Sequence, residues 1–323
     1  MRHLLAAAVL TAVVAGCGGG GGDDTAEPSG RAPEKLVVTT GGEGGIYFLY
    51  GAAYAKVISE HLPGFEATSL GSKGTVENLM RLRDGKADIA LTLGDTALDA
   101  VEGREAFDDP VPLAALAQIY RSYVQVVALE GSGIRALSDL EGKRVSVGSP
   151  DSGTAVVADR ILKLARIDSR TGIKRRQLGV AESAAALESG ALDAFFWSGG
   201  LPTSAVSDLA RAEPVTMLDV SAFARPLRAR YGGVYEDVAI PAGTYPGVEN
   251  PVPTVSIPNY IVVSQKMNGG LAHDLTELLF TYGDELAAAH PESRDLDPER
   301  AEVVIAPIQL HPGAQQYYDR ALP

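Results

Sequence analysis

Two stretches of this chain, roughly a hundred residues apart, run through the same order of elements, and that repeat restricts the fold more than any other feature. Residues 35–40 are β-rich and enter a glycine-rich segment, 41–45; an apolar-periodic stretch over 47–61 then reads as a helix. Pro63 and Gly64 break it. Residues 65–70 form the next expected strand, 71–74 a loop, 75–84 a helix closed by Gly85, and 87–93 a third strand ending at Gly94 and Asp95. The order then returns: strand 144–147, loop 148–153, helix 154–165, strand 173–178, helix 181–189 closed by Gly190, and strand 192–197 running into Ser198, Gly199 and Gly200. Leu82, Gly85 and Asp88 recur as Leu187, Gly190 and Asp193 at a constant offset of 105 residues, while Val38 and Val147 differ by 109 and Leu70 and Leu178 by 108.

Alternation of strands and helices implies right-handed βαβ units on a mostly parallel sheet, so the repeat predicts two α/β domains of similar build. A length of 323 residues agrees with two domains. Ligands of such sheets bind beyond the carboxyl ends of the strands, where both glycine-rich loops lie. Facing each other, the loops would line one cleft of a hinged binding protein. A glycine loop opening a helix presents backbone N–H groups and the positive end of the helix dipole, which suits a carboxylate, phosphate or sulfate. Four segments qualify: Gly44-Gly45, Gly74-Thr75, Ser152-Gly153-Thr154 and, more weakly, 179–183. Thr75 and Thr154 also suit an N-cap, the structural alternative.

Other chemistries lack their residues. The glycine spacing does not fit GxGxxG, GxxxxGK[ST] is absent, and neither G-x-S-x-G nor H-E-x-x-H occurs. His61, His273, His290 and His311 are scattered and read as surface or capping residues rather than metal ligands. The acidic stretches at 102–106 and 108–109 read as a solvated loop. A formal charge of −13 with no basic track argues against nucleic acid as a partner. No catalytic residue, metal or cofactor is expected, and the protein is read as a binding protein; a hydrolase or transferase on the same scaffold is the rival class, disfavoured by the missing nucleophile–base pair.

The first seventeen residues read as an address. Arg2 and His3 precede an apolar run of eleven residues, and Val14-Ala15-Gly16-Cys17 resembles the lipobox of bacterial lipoproteins. The expectation is a signal peptide over 1–16, lipidation of Cys17, the chain's single cysteine, and a flexible linker over 17–34. The mature protein would be extracytoplasmic and held to the cell membrane by its lipid.

A family resemblance adds to this. Thr39-Thr40-Gly41-Gly42-Glu43-Gly44-Gly45-Ile46-Tyr47-Phe48 resembles a strand entering G-x-G-G-x-G-G-x-Y-Y, with Phe48 where a second tyrosine is usual. Residues 69–79, 85–90, 138–148, 152–154, 196–206, 241–247 and 311–318 follow in order. Together they resemble the TAXI-type solute-binding proteins of tripartite ATP-independent periplasmic (TRAP) transporters. The resemblance implies a type II periplasmic-binding-protein-like α/β fold: two domains, 35–121 with 258–323 and 122–257, joined by crossover strands within 123–129 and 254–263, with a helix over 271–289 rejoining domain one. It implies a monomer that captures a small carboxylate, glutamate-like or 2-oxoglutarate-like, by hinge closure and delivers it to integral TRAP permease subunits. The residues it places at the ligand are Gly45, Tyr47, Thr75, Asn78, Ser152, Gly153 and Thr154. Linear position adds Asp95 for a ligand ammonium, Arg121 as a carboxylate clamp beside Gln118 and Tyr120, and Trp197 as a wall. The alternative is a binding protein of an ABC transporter or a sensory receptor for a different small anion, because the S-D-L-x-G-K-x-V segment at 138–145 recurs among ABC-type receptors.

Overall fold

In the computed structural model the described residues are 33–322, except 44, 291, 293 and 295. The expected signal peptide, the lipidated Cys17 and most of the linker lie outside them, as does Gly44. Among the described residues no helix is long and apolar enough to cross a membrane.

The first repeat is laid down as expected. Strand β1 (Glu34–Thr39) leads into helix α1 (Ile46–His61), β2 (Phe65–Leu70), α2 (Thr75–Arg83) and β3 (Ile89–Leu93). Helix α1 buries Ile46, Tyr50, Tyr54, Val57 and Ile58, spaced three or four apart, so one face meets the sheet. Two differences follow. Gly94 and Asp95 do not end the unit in a turn; they open helix α3 (Gly94–Glu102) directly off β3. Strand β4 (Leu113–Leu129) runs for 17 residues where only its second half was expected.

The second repeat begins with β5 (Arg144–Ser146), α4 (Gly153–Leu164), β6 (Lys174–Arg176), α5 (Val180–Glu188) and β7 (Ala194–Gly199), followed by α6 (Ser204–Ala212), β8 (Val215–Met217), α7 (Ala224–Tyr231) and β9 (Glu236–Ile240). Strand β10 (Val252–Ser264) returns the chain to α8 (Gly269–Thr281), α9 (Gly283–Ala289), α10 (Pro298–Ala301) and α11 (Pro312–Ala321). The single helix expected over 271–289 is thus two, parted at Tyr282, whose ring stacks on His61 with centroids 3.6 Å apart. His311 caps α11, its Nδ1 accepting from the Gly313 N–H at 3.1 Å.

The strands form one sheet in the order β2-β1-β3-β10-β4-β7-β5-β6. Strands β2, β1 and β3 are mutually parallel, as are β6, β5 and β7, so the repeat seen in the sequence is also a repeat of strand order. Between the two sets the long strands β4 and β10 run antiparallel to each other and to their outer neighbours. Arg121 and Pro258, where the chain was expected to leave and re-enter domain one, are cross-strand partners on this pair.

Everything from Pro33 onward groups as one compact unit, and its cores explain why. On one sheet face a single apolar cluster runs without interruption from Leu79, Leu93 and Leu98 beside the first parallel set to Val145, Ile161 and Phe196 beside the second. On the other face the cores are separate, one around Tyr50, Tyr54 and Leu275 and one around Phe195, Leu209 and Tyr245. The two halves therefore share a core on one side only.

Candidate functional site

A cavity of about 70 Å³ lies where the two parallel sets meet, and all four glycine-rich helix starts line it: Gly45 and Ile46 of α1, Gly74 and Thr75 of α2, Ser152 and Gly153 of α4, and Gly179 and Val180 of α5. The convergence follows from topology. Strands β1, β2, β5 and β6 each hand over to a helix at their carboxyl ends, and both sets point those ends at the same place.

The halves touch around the cavity. Gly74 has φ +130° and ψ −154°, a region open essentially to glycine. A Cβ there would sit 3.2 Å from the Cα and Cβ of Ser152 in the opposite half. The Val76 and Glu77 N–H groups donate to the Asp151 carbonyl at 3.1 and 3.3 Å, so two donors of the α2 start are spent on closing the halves. Elsewhere Glu292 reaches the second half, its Oε1 accepting the Leu201 N–H at 2.5 Å.

Of the residues named from the sequence, Gly45, Tyr47, Thr75, Tyr120, Ser152, Gly153, Thr154 and Trp197 line the cavity. The Tyr47 hydroxyl donates to Asn259 Oδ1 at 2.5 Å, and burial raises its pKa well above the ordinary phenol value, so it stays protonated. Its ring meets Tyr120 edge to face, centroids 6.4 Å apart. Trp197 is fixed by its indole N–H donating to Thr203 Oγ at 2.9 Å, and its ring faces Gly45. The N-cap of α4 is Ser152, whose Oγ accepts from the Ala155 N–H at 3.1 Å. Thr154 instead accepts from the Ser198 N–H at 3.2 Å and so braces the end of β7.

Four named residues lie elsewhere. Asn78 is fully buried and ties the first half together, accepting from Thr39 Oγ at 2.7 Å and donating to the Thr40 and Leu91 carbonyls at 2.6 and 2.8 Å. Arg121 turns away: its Nε donates to Ser256 Oγ at 2.8 Å, its Nη2 meets Glu236 at 3.3 Å, and it borders a second cavity with Gln118. Asp95 is buried in an internal cluster instead of meeting a ligand. Its Oδ2 accepts from Tyr235 at 2.9 Å and faces Arg160 at 3.3 Å, while Oδ1 accepts from the Thr96 N–H at 2.7 Å. Arg160 also binds Asp99, and it is 5% exposed against 0% and 1% for the two carboxylates.

One buried guanidinium thus serves two carboxylates. Burial, with Asp95 adding to it against the pull of Arg160, pushes Asp99 up to about 7. An acid raised on folding is protonated in the native state while still ionised in the unfolded chain. Stability then falls as pH rises from about 4 to about 7, with a slope approaching 1.4 kcal/mol per pH unit, and levels off above. Thermal melts of wild type from pH 4 to pH 8 should show this decline, and Asp99→Asn should remove it; an unchanged slope in the variant would exclude Asp99 as the source.

Sequence reasoning passed over Ser198. It lines the cavity, is 7% exposed, and its Oγ has no partner among the described residues. Its signal was available: at the offset of 105 residues Ser198 matches Leu93, the last residue of β3, which lines the same cavity. As for metals, Glu60, His61 and Glu285 lie close enough to hold an ion, as do His273, Asp274 and Glu277, but neither group lines the cavity.

A family model described as the NMT1-like family matches residues 38–320. Among solved structures, a protein of Bordetella bronchiseptica RB50 aligns at TM-score 0.50 and 16% identity over 90% of this chain and 80% of that one. The periplasmic aliphatic sulphonate binding protein SsuA of Escherichia coli aligns at 0.46 and 16% over 89% and 83%. A putative L-cystine ABC transporter protein of Listeria monocytogenes aligns at 0.48 and 16% over 79% and 94%. Two parallel strand sets joined by two long antiparallel strands make up the two-lobed periplasmic-binding-protein-like α/β fold, as expected. The expected TAXI assignment, and with it the TRAP permease partner, is overturned, because the family that matches residues 38–320 is another one. With its model matched over residues 38–320, the chain belongs to the NMT1-like family.

Proposed function

We propose that the protein is an extracytoplasmic solute-binding protein that closes over a small anion and delivers it to an ABC-type membrane transporter, without transforming it. The observation that carries this reading is the convergence of four helix starts on one cavity lined by both halves. The transporter class rests on the segment at 138–145, which recurs among ABC-type receptors. In this reading residues 35–121 with 258–323 and residues 122–257 are the two moving lobes, β4 and β10 are the hinge, and Cys17 carries the lipid that keeps the protein near its transporter. The ligand touches Gly45, Tyr47, Thr75, Tyr120, Ser152, Gly153, Thr154 and Trp197.

Titration calorimetry against a panel of short carboxylates, sulfonates and sulfate tests the reading. Micromolar binding by at least one anion is expected, about 8 kcal/mol, within reach of several hydrogen bonds to a charged group in a closed cleft. A folded protein that gives neither heat nor a rise in melting temperature with any anion would sink it.

A further inference from the structure

We infer that Ser198 is a ligand-binding residue, its hydroxyl donating to an anionic oxygen of the bound solute. This rests on the proposed function and adds to it a contact that its residue set lacks.

The hydroxyls around the cavity differ in how far the scaffold uses them. Ser122 donates to Asn259 Oδ1 at 3.3 Å and accepts from the Nδ2 of the same amide at 3.0 Å. Ser152 donates to the Ser149 carbonyl at 2.7 Å while accepting from the Ala155 N–H. Thr75 accepts from the Leu93 N–H at 3.4 Å, and Thr154 from the Ser198 N–H at 3.2 Å. Ser149 is half-buried, so water can serve its hydroxyl. Ser198 has neither recourse. Of the buried side-chain polar atoms without a hydrogen-bond partner among the described residues, the Ser198 Oγ alone lines the cavity. A hydroxyl withdrawn from water and left unbonded carries its full desolvation cost, and such groups are rare in folded proteins. A solute oxygen in the cavity is the partner that removes that cost.

The placement of Ser198 suits an anion. It lies near the carboxyl end of β7, and its N–H ties that strand end to Thr154 in the first turn of α4. Helix α4 carries no acid in its first turn, and no carbonyl of the helix can reach the Gly153 and Thr154 N–H groups there. Two of the other helix starts on the cavity are partly engaged already. At α2 the Val76 and Glu77 N–H groups go to the Asp151 carbonyl, and at α5 the Glu182 carboxylate accepts the Gly179 N–H at 3.0 Å. An anionic oxygen at the α4 start lies in the positive field of that helix, with the Ser198 hydroxyl on the strand end tied to it. Carboxylate, sulfonate and sulfate oxygens all accept such a bond, so Ser198 contributes affinity without choosing among these classes.

The test is titration calorimetry and thermal melting of the full chain, with the sodium salts of acetate, butyrate, succinate, methanesulfonate, ethanesulfonate and sulfate as probes. For every probe that binds wild type, Ser198→Ala should weaken binding by about 10- to 100-fold, and Ser198→Cys, which keeps a weaker donor, should fall in between. Unliganded Ser198→Ala should melt no lower than wild type, because alanine removes a hydroxyl that the scaffold leaves unbonded. Ser122→Ala is the contrast: it strips Asn259 of a partner and should lower the melting temperature of the unliganded protein. Wild-type affinity in Ser198→Ala overturns the contact and leaves the anion-binding reading standing. A melting temperature lowered as in Ser122→Ala assigns the hydroxyl to the scaffold and overturns the inference in the same way. Silence from every probe with folded wild type fails the proposed function itself, and this inference with it.

Discussion

Replacing Arg160 by methionine is expected to lower the free energy of unfolding by about 3–5 kcal/mol. Arg160 sits on α4 in the second half, and Asp95 and Asp99 sit on α3 in the first. The Tyr235 hydroxyl links the same atoms, accepting from Arg160 at 2.6 Å and donating to Asp95 at 2.9 Å. Tyr231 lies under the guanidinium at 4.4 Å. Removing Arg160 leaves two buried carboxylates with only the partly exposed Arg104, 3.6 Å from Asp99, as counter-charge, and one or both must take up protons for the fold to survive. Two consequences can be measured in urea titrations. The loss in Arg160→Met should grow as pH rises, because protonation relieves it at low pH. Adding Asp95→Asn and Asp99→Asn should recover most of it, because amides need no counter-charge. A loss below about 1 kcal/mol at pH 8 would show that the cluster adds nothing to joining the halves.

Gly153→Ala should cost binding rather than folding. A Cβ at Gly153 would lie 2.3 Å from Leu93 Cδ1 and 2.9 Å from Thr75 Oγ, both in the opposite half, in the arrangement where α2 and α4 meet. Overpacking of this kind costs about 1–3 kcal/mol, and under the proposed closing motion it falls on the closed form, in which Leu93 and Thr75 approach Gly153. Affinity for whichever anion the calorimetric panel identifies should therefore fall roughly 10- to 100-fold, while the unliganded protein unfolds near the wild-type midpoint and shows a larger radius of gyration in solution scattering. Wild-type affinity would mean that the ligand is held without the approach of Gly153 to Leu93. A large fall in the unfolding midpoint would mean that the apposition belongs to the permanent core.

The repeat was legible because its signals are local: a β-rich run, a glycine loop, a periodic helix and a closing glycine need no knowledge of the rest of the chain. Helix α3 was not. Gly94-Asp95 imitates a turn at a strand end, and Asp95, Thr96 and Asp99 read as polar loop residues although the fold buries every residue from Gly94 to Ala100. The first half of β4 was hidden because its Leu113–Ala117 stretch is buried without alternation. In the site, the glycine and hydroxyl positions named at helix starts line the cavity, since a helix start after a parallel strand points one way only. The charged and amide residues were not. Asn78, Asp95 and Arg121 have the side chains of ligand contacts, yet each is consumed by partners as far as 13 to 140 positions away, Asp95 by its neighbour Thr96 as well, and nothing in linear order distinguishes a group kept for a ligand from one spent on the scaffold. Ser198 is the converse, a plain serine at a strand end that the scaffold leaves unused.

The apolar cluster that spans both halves on one sheet face has a consequence for how such a chain can change over time. Two repeats with the same strand order suggest interchangeable modules, but neither repeat owns a complete core here: Leu98 of the first lies against the Gly232 backbone of the second, and Ile161 and Val145 complete the packing begun by Leu79 and Leu93. A lobe grafted from a relative with another ligand would arrive with half of an interior that does not match. If the cavity holds the ligand as proposed, new specificity comes from substitutions at its rim and walls, because a shared core ties the two halves to each other.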